Sequence, residues 1–369
     1  MKTFGIINFE GPDVKVSGLG DFRPVPAFSF LGRYRLIDVM ISNMTNSGIE
    51  NLQVYMNGET RSLIEHLGTG RHYNINSKTG KLQMLTSNPN DQNAYNHDIN
   101  AFLYNIEAIE EVNAKYVVIA PSYIVYSIDF RKVIETHKLS KSDITIVYKP
   151  VKYAKQHYHS CDCINIGSDN RITKIETNDG KYKNRNISLE TYVMERELFI
   201  DLIKKASETS SMYWLKNIIG DSLDSLVVSG YRISNEAYFI CNLNDYYRAN
   251  MEIKDLDTAK SLFHKDWPIH TRTNDTAPAY YSNTANVKNS AVANGTIIRG
   301  TVENSVIGRQ VIIEKGAVVK DSILLPGCYI GKNVNVSYTI IDKKARVSNV
   351  KNLSGDPDKI FYVKRRDII

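Results

Sequence analysis

The chain has 369 residues, of which 42% are hydrophobic and 23% charged, which is typical of a soluble globular protein long enough for two domains. Its formal net charge of +6 suits anionic metabolites, but no lysine-rich run or arginine block indicates binding to nucleic acid. The four cysteines lack the spacing of a disulfide framework, and no apolar run approaches the length of a membrane span. We therefore expect a cytoplasmic protein with free thiols and no membrane partner.

Strand and helix patterns alternate through the first 255 residues. Apolar residues at helical spacing, from Leu36 to Met44, predict a buried helix in the second half of the stretch 22–49, which would close at Gly48. A proline-stiffened loop with Arg23, Arg33 and Arg35 precedes it. Residues 77–97 are polar and rich in Asn, which predicts a long surface loop. The remaining pattern predicts a largely parallel sheet with helices on both faces. Its further predicted segments are strands 3–9, 51–55, 115–120 and 143–149, and helices 58–68, 101–111, 131–138, 195–206 and 212–225.

The period changes near residue 287. Aliphatic residues recur there at a spacing of six, which is typical of a hexapeptide-repeat parallel β-helix whose aliphatic column fills the axis. A β-sandwich would instead show a period of two along each strand. The predicted column consists of Val306, Ile312, Val318, Leu324, Ile330 and Val336.

Five stretches carry a resemblance to a known family: PAFSFLGRYRLIDVMISNMTNSGI, INAFLYNIEAI, VYSIDFRKV, LNDYYRAN and ENSVIGRQVIIEKGAVVKDSILLPG. They resemble the ADP-glucose pyrophosphorylases (glucose-1-phosphate adenylyltransferases), and the resemblance covers essentially the whole chain. It implies a Rossmann-like, GT-A-like nucleotidyltransferase domain with a mostly parallel sheet at 1–255. A linker at 256–284 and a left-handed parallel β-helix at 285–369 follow.

The residues that the family uses for catalysis are replaced in this chain. Val25 stands where the family has a lysine, and Asn178 falls near its sugar-phosphate lysine. Tyr123 and Asn244 stand at the two metal-binding aspartates, and Glu190 at a glycine. The resemblance therefore implies no catalytic residue, metal or other cofactor in this chain, with Mg²⁺ used by a catalytic partner.

This pattern resembles the non-catalytic, GlgD-type subunits of the family. The resemblance implies a regulatory subunit that modulates a catalytic paralogue within a heterotetramer. In the family, basic residues of the loop and of the β-helix bind sugar-phosphate effectors. Arg23 and Arg35 match such positions, and Lys343 is the candidate on the β-helix side. Ordinary solvated surface charges are the alternative interpretation of the arginines.

Other functions remain as alternatives. The first is an active sugar-phosphate nucleotidyltransferase with a rewired metal site that uses Asp98 and Asp245. The second is a hexapeptide-repeat acyltransferase, which generally needs a histidine on the coil, whereas residues 285–369 contain none. A zinc site is disfavoured because one straight strand cannot wrap four ligands tetrahedrally. Its four residues would be His157, His159, Cys161 and Cys163.

Overall fold

The computed structural model describes residues 2–11, 13–76, 78–87, 97–210 and 213–369. Their contacts define two compact units, each with a hydrophobic core. The first unit comprises Met1–Asp13, Val39–Ala237 and Trp267–His270, and the second comprises Val14–Asp38, Tyr238–Asp266 and Thr271–Ile369. Within the described residues, every helix is too short or too polar to cross a membrane.

The elements of the described residues are numbered in chain order. The strands before residue 240 are β1 (Thr3–Asn8), β2 (Ser29–Phe30), β3 (Tyr34–Arg35), β4 (Asn51–Met56), β5 (Lys81–Thr86), β6 (Tyr116–Pro121), β7 (Ile124–Tyr126), β8 (Ile144–Val151), β9 (Asp162–Ile166), β10 (Ile172–Thr177), β11 (Arg185–Glu195), β12 (Val228–Arg232) and β13 (Ala237–Phe239). The α-helices are α1 (Leu36–Asn46), α2 (Arg61–Leu67), α3 (Asp98–Tyr104), α4 (Ile106–Glu110), α5 (Phe130–Ser140), α6 (Arg196–Thr209), α7 (Leu215–Asp221), α8 (Leu243–Ile253) and α9 (Leu256–Ala259). Short 3₁₀ turns occupy Gly20–Phe22, Val25–Ala27 and Arg71–Tyr73.

The first unit is built on a nine-stranded sheet. Its main strand order is β10-β9-β11-β6-β1-β4-β5, and β8 pairs with β11 and β12. The strands from β6 to β5 run parallel, whereas β11 is antiparallel to β6 and β8. Parallel strands present their carboxyl ends at one edge, where open α/β sheets usually bind ligands. The predicted α/β fold with a mostly parallel sheet is confirmed.

The apolar stripe of α1 packs against β1. Met40, Ile41 and Met44 are each at most 1% exposed. Gly5 permits this close approach, because a Cβ atom there would lie 2.5 Å from the sulfur of Met44 and 2.8 Å from Leu52. The helix predicted from the stripe is therefore confirmed, together with the reason for its burial.

Two predictions from local patterns are wrong in the first unit. Residues 81–86, expected within a surface loop, form the edge strand β5, which pairs in parallel with β4. Its side chains are only half-buried, so it lacks the continuous apolar run that marks a central strand. The helix expected over 101–111 is divided at Asn105, which is not helical and whose side chain donates a hydrogen bond to the carbonyl of Ala101. Residues 77 and 88–96 of the predicted loop and residue 212 of the predicted helix 212–225 lie outside the described residues.

The second unit contains three parallel sheets of five strands each, as in a left-handed parallel β-helix. The predicted β-helix is thus confirmed. The sheets are β14-β17-β20-β23-β26, β15-β18-β21-β24-β27 and β16-β19-β22-β25-β28. The strands are β14 (Tyr280–Tyr281), β15 (Asn286–Lys288), β16 (Ala291–Val292), β17 (Ile297–Ile298), β18 (Thr301–Glu303), β19 (Val306–Ile307), β20 (Ile312–Ile313), β21 (Val318–Lys320), β22 (Ile323–Leu324), β23 (Tyr329–Ile330), β24 (Asn335–Ser337), β25 (Thr339–Ile341), β26 (Arg346–Val347), β27 (Asn352–Ser354) and β28 (Phe361–Val363).

The interior residues of the β-helix do not recur at an exact spacing of six. Ile312 pairs with Tyr329, and Tyr329 with Arg346, so each of these turns takes 17 residues (329 − 312 and 346 − 329) rather than three times six. One step per turn is therefore five residues long. Leu324, Ile330 and Val336 do face the core, but Ile312 and Val318 are only partly buried. Their neighbours Ile313 and Val319 fill the interior instead.

The outer face of the sheet β16-β19-β22-β25-β28 is also buried. Val306, Ile323 and Ile340 alternate with interior residues, yet each is at most 1% exposed. Chain from 14–38 and 238–266 of the same unit lies against the coil. Gly32, at φ +70°, approaches so closely that a Cβ atom would lie 2.7 Å from the carbonyl oxygen of Ile307. The hydroxyl of Tyr247 donates a 2.8 Å hydrogen bond to the carbonyl of Asp321.

Candidate functional site

Asp98 lies at the start of α3 and is 3% exposed. Its Oδ2 accepts a 2.9 Å hydrogen bond from Asn8 Nδ2 at the end of β1, and its Oδ1 accepts a 3.0 Å bond from the backbone N–H of Leu215. Burial raises the pKa of Asp98 to about 7, although these hydrogen bonds oppose the shift. Both carboxylate oxygens therefore tie the end of β1 to the starts of α3 and α7.

Glu190 lies in a β-bulge of β11. The register of β11 with β8 shifts between Ser188 and Thr191, and Glu190 adopts φ +47°. Its backbone N–H donates a 3.1 Å hydrogen bond to Ser188 Oγ. This left-handed conformation favours glycine, the residue that the resemblance implies at this position. The bulge therefore holds a carboxylate where the family has no side chain.

Lys216 on α7 is the counter-ion of this carboxylate. Its Nζ lies 3.1 Å from Asp162 Oδ2 and 3.9 Å from Glu190 Oε1. Burial alone would lower the pKa of Lys216, but the two carboxylates raise it above the usual lysine value. Burial also raises the pKa of Glu190, which Lys216 and a hydrogen bond from Tyr123 oppose. Tyr123, one of the replaced metal positions, thus belongs to this network.

The adjoining cavity of about 610 Å³ is acidic. Five carboxylates and two lysines line it, and Lys174 is already paired with Glu176 at 2.6 Å. An excess of negative charge opposes the entry of anionic ligands such as phosphates. The acidic residues of the lining are Asp13, Asp162, Glu176, Asp221 and Asp224.

The donors present in this network do not fit Mg²⁺. This ion prefers oxygen ligands that include carboxylates free to bind it. Tyr123 offers a neutral phenol, Asp98 uses both oxygens within the protein, and Asp162 and Glu190 face an ammonium group. In the part of the chain that the structure describes, no three Asp, Glu, His or Cys residues are arranged to hold a metal ion.

Asn178, at the replaced sugar-phosphate position, has a different role. It is 2% exposed, and its Nδ2 donates hydrogen bonds of 2.8, 3.2 and 2.9 Å to three backbone carbonyls. Those carbonyls belong to Ala154, His157 and Tyr158. The amide therefore closes a loop of the first unit.

The other replaced positions lie in the second unit. Val25 is 4% exposed within the 3₁₀ turn Val25–Ala27. Asn244 Nδ2 donates a 3.2 Å hydrogen bond to the carbonyl of Asp358. Its neighbour Asp245, the residue considered for a rewired metal site, accepts a 2.8 Å bond from Asn242 and pairs with Arg248 at 3.1 Å. The carboxylate of Asp245 therefore has partners within its own helix and cap.

Arg23 is buried rather than solvated. It is 2% exposed, and its Nη2 lies 2.7 and 2.6 Å from the two carboxylate oxygens of Asp342, which is fully buried. The same carboxylate accepts bonds of 2.6 Å from the N–H of Lys343 and 2.8 Å from the hydroxyl of Tyr362. Arg23 Nη1 is buried and has no hydrogen-bond partner among the described residues.

Lys343 and Arg35 are two further basic residues near the pair of Arg23 and Asp342. Burial and, after it, the charges of Arg35 and Arg23 lower the pKa of Lys343 to about 7, although Asp342 opposes the shift. Arg35 Nη1 donates a 2.8 Å hydrogen bond to the carbonyl of Ala27. The three predicted residues thus lie close enough in the second unit to interact electrostatically. We refer to Arg23, Arg35 and Lys343 as the cationic cluster.

Sequence reasoning missed Asp342, Tyr362 and Lys216. Asp342 directly precedes Lys343, so an acidic residue beside a candidate anion-binding lysine was the available signal for it. Lys216 is an ordinary residue of a short amphipathic helix, and its two acidic partners come from distant strands. No local pattern connects them.

Comparisons with known proteins agree with this architecture. The family model described as nucleotidyl transferase matches residues 15–256, and the GlmU-like C-terminal hexapeptide model matches 277–367. The chain is 33% identical over 324 residues to the glycogen biosynthesis protein GlgD of Geobacillus stearothermophilus, covering 86% of this chain and 83% of that protein. It is 30% identical over 344 residues to the glucose-1-phosphate adenylyltransferase of Fervidobacterium nodosum, covering 92% and 82%. The GlgD protein of Bacillus subtilis is 27% identical over 345 residues, covering 93% and 90%.

Proposed function

Because the chain belongs to the nucleotidyl transferase family, we propose that it is a regulatory, catalytically impaired subunit of glucose-1-phosphate adenylyltransferase in glycogen biosynthesis. That enzyme converts ATP and glucose 1-phosphate to ADP-glucose and diphosphate. In this role the chain assembles with a catalytic paralogue into a heterotetramer and biases the partner's active conformation. Relatives named as glycogen biosynthesis proteins and as adenylyltransferases both support a place in this reaction.

The ion pairs of Lys216 carry the argument for impairment. Transfer of an adenylyl group joins two anions, so the site must supply cations where negative charge develops. Here the lysine is bound to Asp162 at 3.1 Å and lies 3.9 Å from Glu190, and the cavity beside it has an excess of carboxylates. Removing one charge-stabilising group typically costs about 3–4 kcal/mol, or a factor of 10²–10³ in rate. The loss of several such groups leaves little turnover.

The cationic cluster supports a regulatory role. Arg23 forms a buried ion pair with Asp342, and the charges of Arg23 and Arg35 both act on Lys343, so basic groups are concentrated around this pair. An anionic ligand would offset that charge and satisfy Arg23 Nη1. We assign this cluster to a sugar-phosphate effector.

The test is an assay of ADP-glucose synthesis with Mg²⁺, ATP and glucose 1-phosphate. The purified chain alone should form no ADP-glucose. Added in equal amount to a catalytic adenylyltransferase subunit, it should co-purify as a heterotetramer and change kcat, KM or effector sensitivity. A chain that neither binds the catalytic subunit nor changes its kinetics would contradict the regulatory role.

Robust turnover by the isolated chain would favour the alternative, an active nucleotidyltransferase with a rewired metal site. In that case Asp98→Asn and Asp245→Asn should each abolish the turnover. Asp129→Asn is a suitable control, because Asp129 caps α5 and pairs with Arg131 at 2.8 Å. Its replacement should leave the activity of such an enzyme unchanged.

A further inference from the structure

We propose that another cavity of the first unit binds a sugar phosphate. This cavity has a volume of about 570 Å³ and is lined by residues from the adjoining strands β9, β11, β8 and β12. Its size is within the range of small-molecule sites. It shares no described lining residue with the acidic cavity beside Lys216, and no residue with the cationic cluster. We refer to it as the basic cavity, and the inference does not depend on the proposed regulatory role.

Among the described residues that line the basic cavity, every charged side chain is basic. These side chains belong to Lys152, which follows β8, to Arg185 at the start of β11 and to Arg232 at the end of β12. The acidic cavity beside Lys216 has the opposite character, with five carboxylates in its lining. A concave surface that carries charge of one sign attracts ligands of the other sign. The basic cavity therefore favours an anionic ligand.

Paired strands of one sheet position the two arginines. Arg185 of β11 is opposite Val151 of β8, and Arg232 of β12 is beside Tyr148 of the same strand β8. The strand β9 pairs with the other edge of β11. Functional groups on strands are held more precisely than groups on loops. The sheet therefore presents both guanidinium groups from fixed positions on its backbone.

Arg185 is held by its neighbours through one part of its guanidinium group. Its side chain is 13% exposed, and Nη1 lies 2.7 Å from Glu176 Oε1 and 3.5 Å from Asn165 Oδ1. The other carboxylate oxygen of Glu176 pairs with Lys174 at 2.6 Å, and the guanidinium of Arg185 lies over the ring of Tyr182. Both polar contacts of Arg185 use Nη1, whereas Nε is buried and has no hydrogen-bond partner among the described residues. The edge formed by Nε and Nη2 is one that can bind two oxygens of a phosphate side by side.

The uncharged side chains of the lining favour a sugar phosphate over other anions. Asn165, Asn184 and Asn186 line the cavity, and an amide group both donates and accepts hydrogen bonds, as sugar hydroxyls do. Ile164 and Ile166 add apolar surface. The described lining contains no aromatic ring on which a nucleotide base could stack. A phosphorylated sugar therefore matches these groups better than a nucleotide does.

Glucose 6-phosphate is the probe for this site. Calorimetric titration of the full chain with glucose 6-phosphate measures the Kd and the number of binding sites. Inorganic phosphate and glucose, each titrated alone, should bind more weakly, because each of them meets only part of the lining. A higher salt concentration should raise the Kd for glucose 6-phosphate, because salt screens the attraction between the phosphate and the basic side chains.

Two variants assign the bound sugar phosphate to the basic cavity. Arg185→Gln should raise the Kd by about tenfold or more, because it removes charge-assisted hydrogen bonds to the phosphate. Arg232→Gln should raise it as well, and since Arg232 is exposed, this substitution leaves the core unchanged. Lys183→Gln is the matched control, because Lys183 is an exposed cation close in the chain but outside the described lining, and it should change the Kd by less than about twofold. Lys343→Met, which alters the cationic cluster, should keep the binding that Arg185→Gln weakens. Thermal unfolding confirms that each variant is folded.

Each possible result supports or overturns the inference. A chain that binds no glucose 6-phosphate overturns it. Binding that both arginine variants leave unchanged belongs to another site and overturns it as well, as does an equal loss of binding in Lys183→Gln. Equal affinities for inorganic phosphate and glucose 6-phosphate would refute the assignment to a sugar phosphate. The regulatory role is tested separately by the synthesis of ADP-glucose with a catalytic subunit, so either proposal can fail without the other.

Discussion

The guanidinium of Arg23 and the carboxylate of Asp342 meet at 2.6 Å, with 2% and 0% of their side chains exposed. A buried ion pair of this kind contributes little net stability, since the loss of hydration offsets much of the attraction. Removing one partner is strongly destabilising, because the remaining charge then stays buried and unpaired. The pair therefore constrains which substitutions the second unit can tolerate.

Asp342→Ala should lower the free energy of unfolding by about 3–5 kcal/mol, because it leaves the charge of Arg23 buried without its counter-charge. The double variant Arg23→Met, Asp342→Leu should recover most of that loss. Urea unfolding of the full chain measures both. Glu303→Ala is the control, since its pair with Lys320 is about half exposed, and it should cost less than about 1 kcal/mol. Equal losses for Asp342→Ala and Glu303→Ala would refute the burial argument.

Glu190→Gly should be more stable than Glu190→Ala by about 1 kcal/mol. Both variants remove the buried carboxylate, but only glycine relieves the left-handed backbone at φ +47°. Comparing the two variants by urea unfolding isolates the backbone contribution. If alanine proves equal to glycine, the bulge relaxes without strain.

The stability of the chain should depend on the protonation of Asp98. Its folded-state pKa is about 7, above the value of 3.8 for an unperturbed Asp, so the folded chain holds this proton more tightly than the unfolded chain. The stabilisation is complete below about pH 4 and is lost as the pH rises to 7, by up to about 1.4 kcal/mol per unit. Asp98→Asn does not titrate and should lack this loss. The measurement is the difference in unfolding free energy between the two proteins at several pH values. If the pKa of Asp98 is the same in the folded and unfolded chain, this difference should not vary with pH.

Adjacent isoleucines of the β-helix should respond unequally to truncation. Ile313 is fully buried in the interior, and Ile313→Ala should cost about 2–5 kcal/mol. Ile312, the preceding residue, faces outward and is only partly buried, so Ile312→Ala should cost clearly less. Thermal unfolding of both variants distinguishes the 17-residue turn from a strict spacing of six, which requires the opposite order.

The elements that sequence reasoning predicted well are those whose environment is uniform. The stripe of α1 packs one face against β1, so its period of 3.6 residues is visible in the chain itself. The β-helix is visible for the same reason, because every turn repeats a similar environment. The predicted interior was wrong at Val306, Ile312 and Val318, because a step of five shifts the column by one residue and the neighbours Ile307, Ile313 and Val319 are aliphatic as well.

The candidate site was harder to predict, because its partners are distant in the chain. Residues replaced within a known motif, such as Tyr123, can be identified from the motif. The new partner cannot, because Lys216 meets Asp162 and Glu190 only through the packing of α7 beside the sheet. Arg23 was considered as either a surface charge or an anion ligand. Its burial depends on Asp342, whose importance no local pattern shows.

The buried outer face of β16-β19-β22-β25-β28 has a practical consequence for dividing this chain into fragments. Val306, Ile323 and Ile340 are each at most 1% exposed, and residues from far earlier in the sequence contact the same coil, Gly32 at Ile307 and Tyr247 at Asp321. A fragment cut at the start of the hexapeptide repeats would expose these side chains as an apolar strip, which favours aggregation. A fragment that contains the β-helix should therefore keep the segments 14–38 and 238–266.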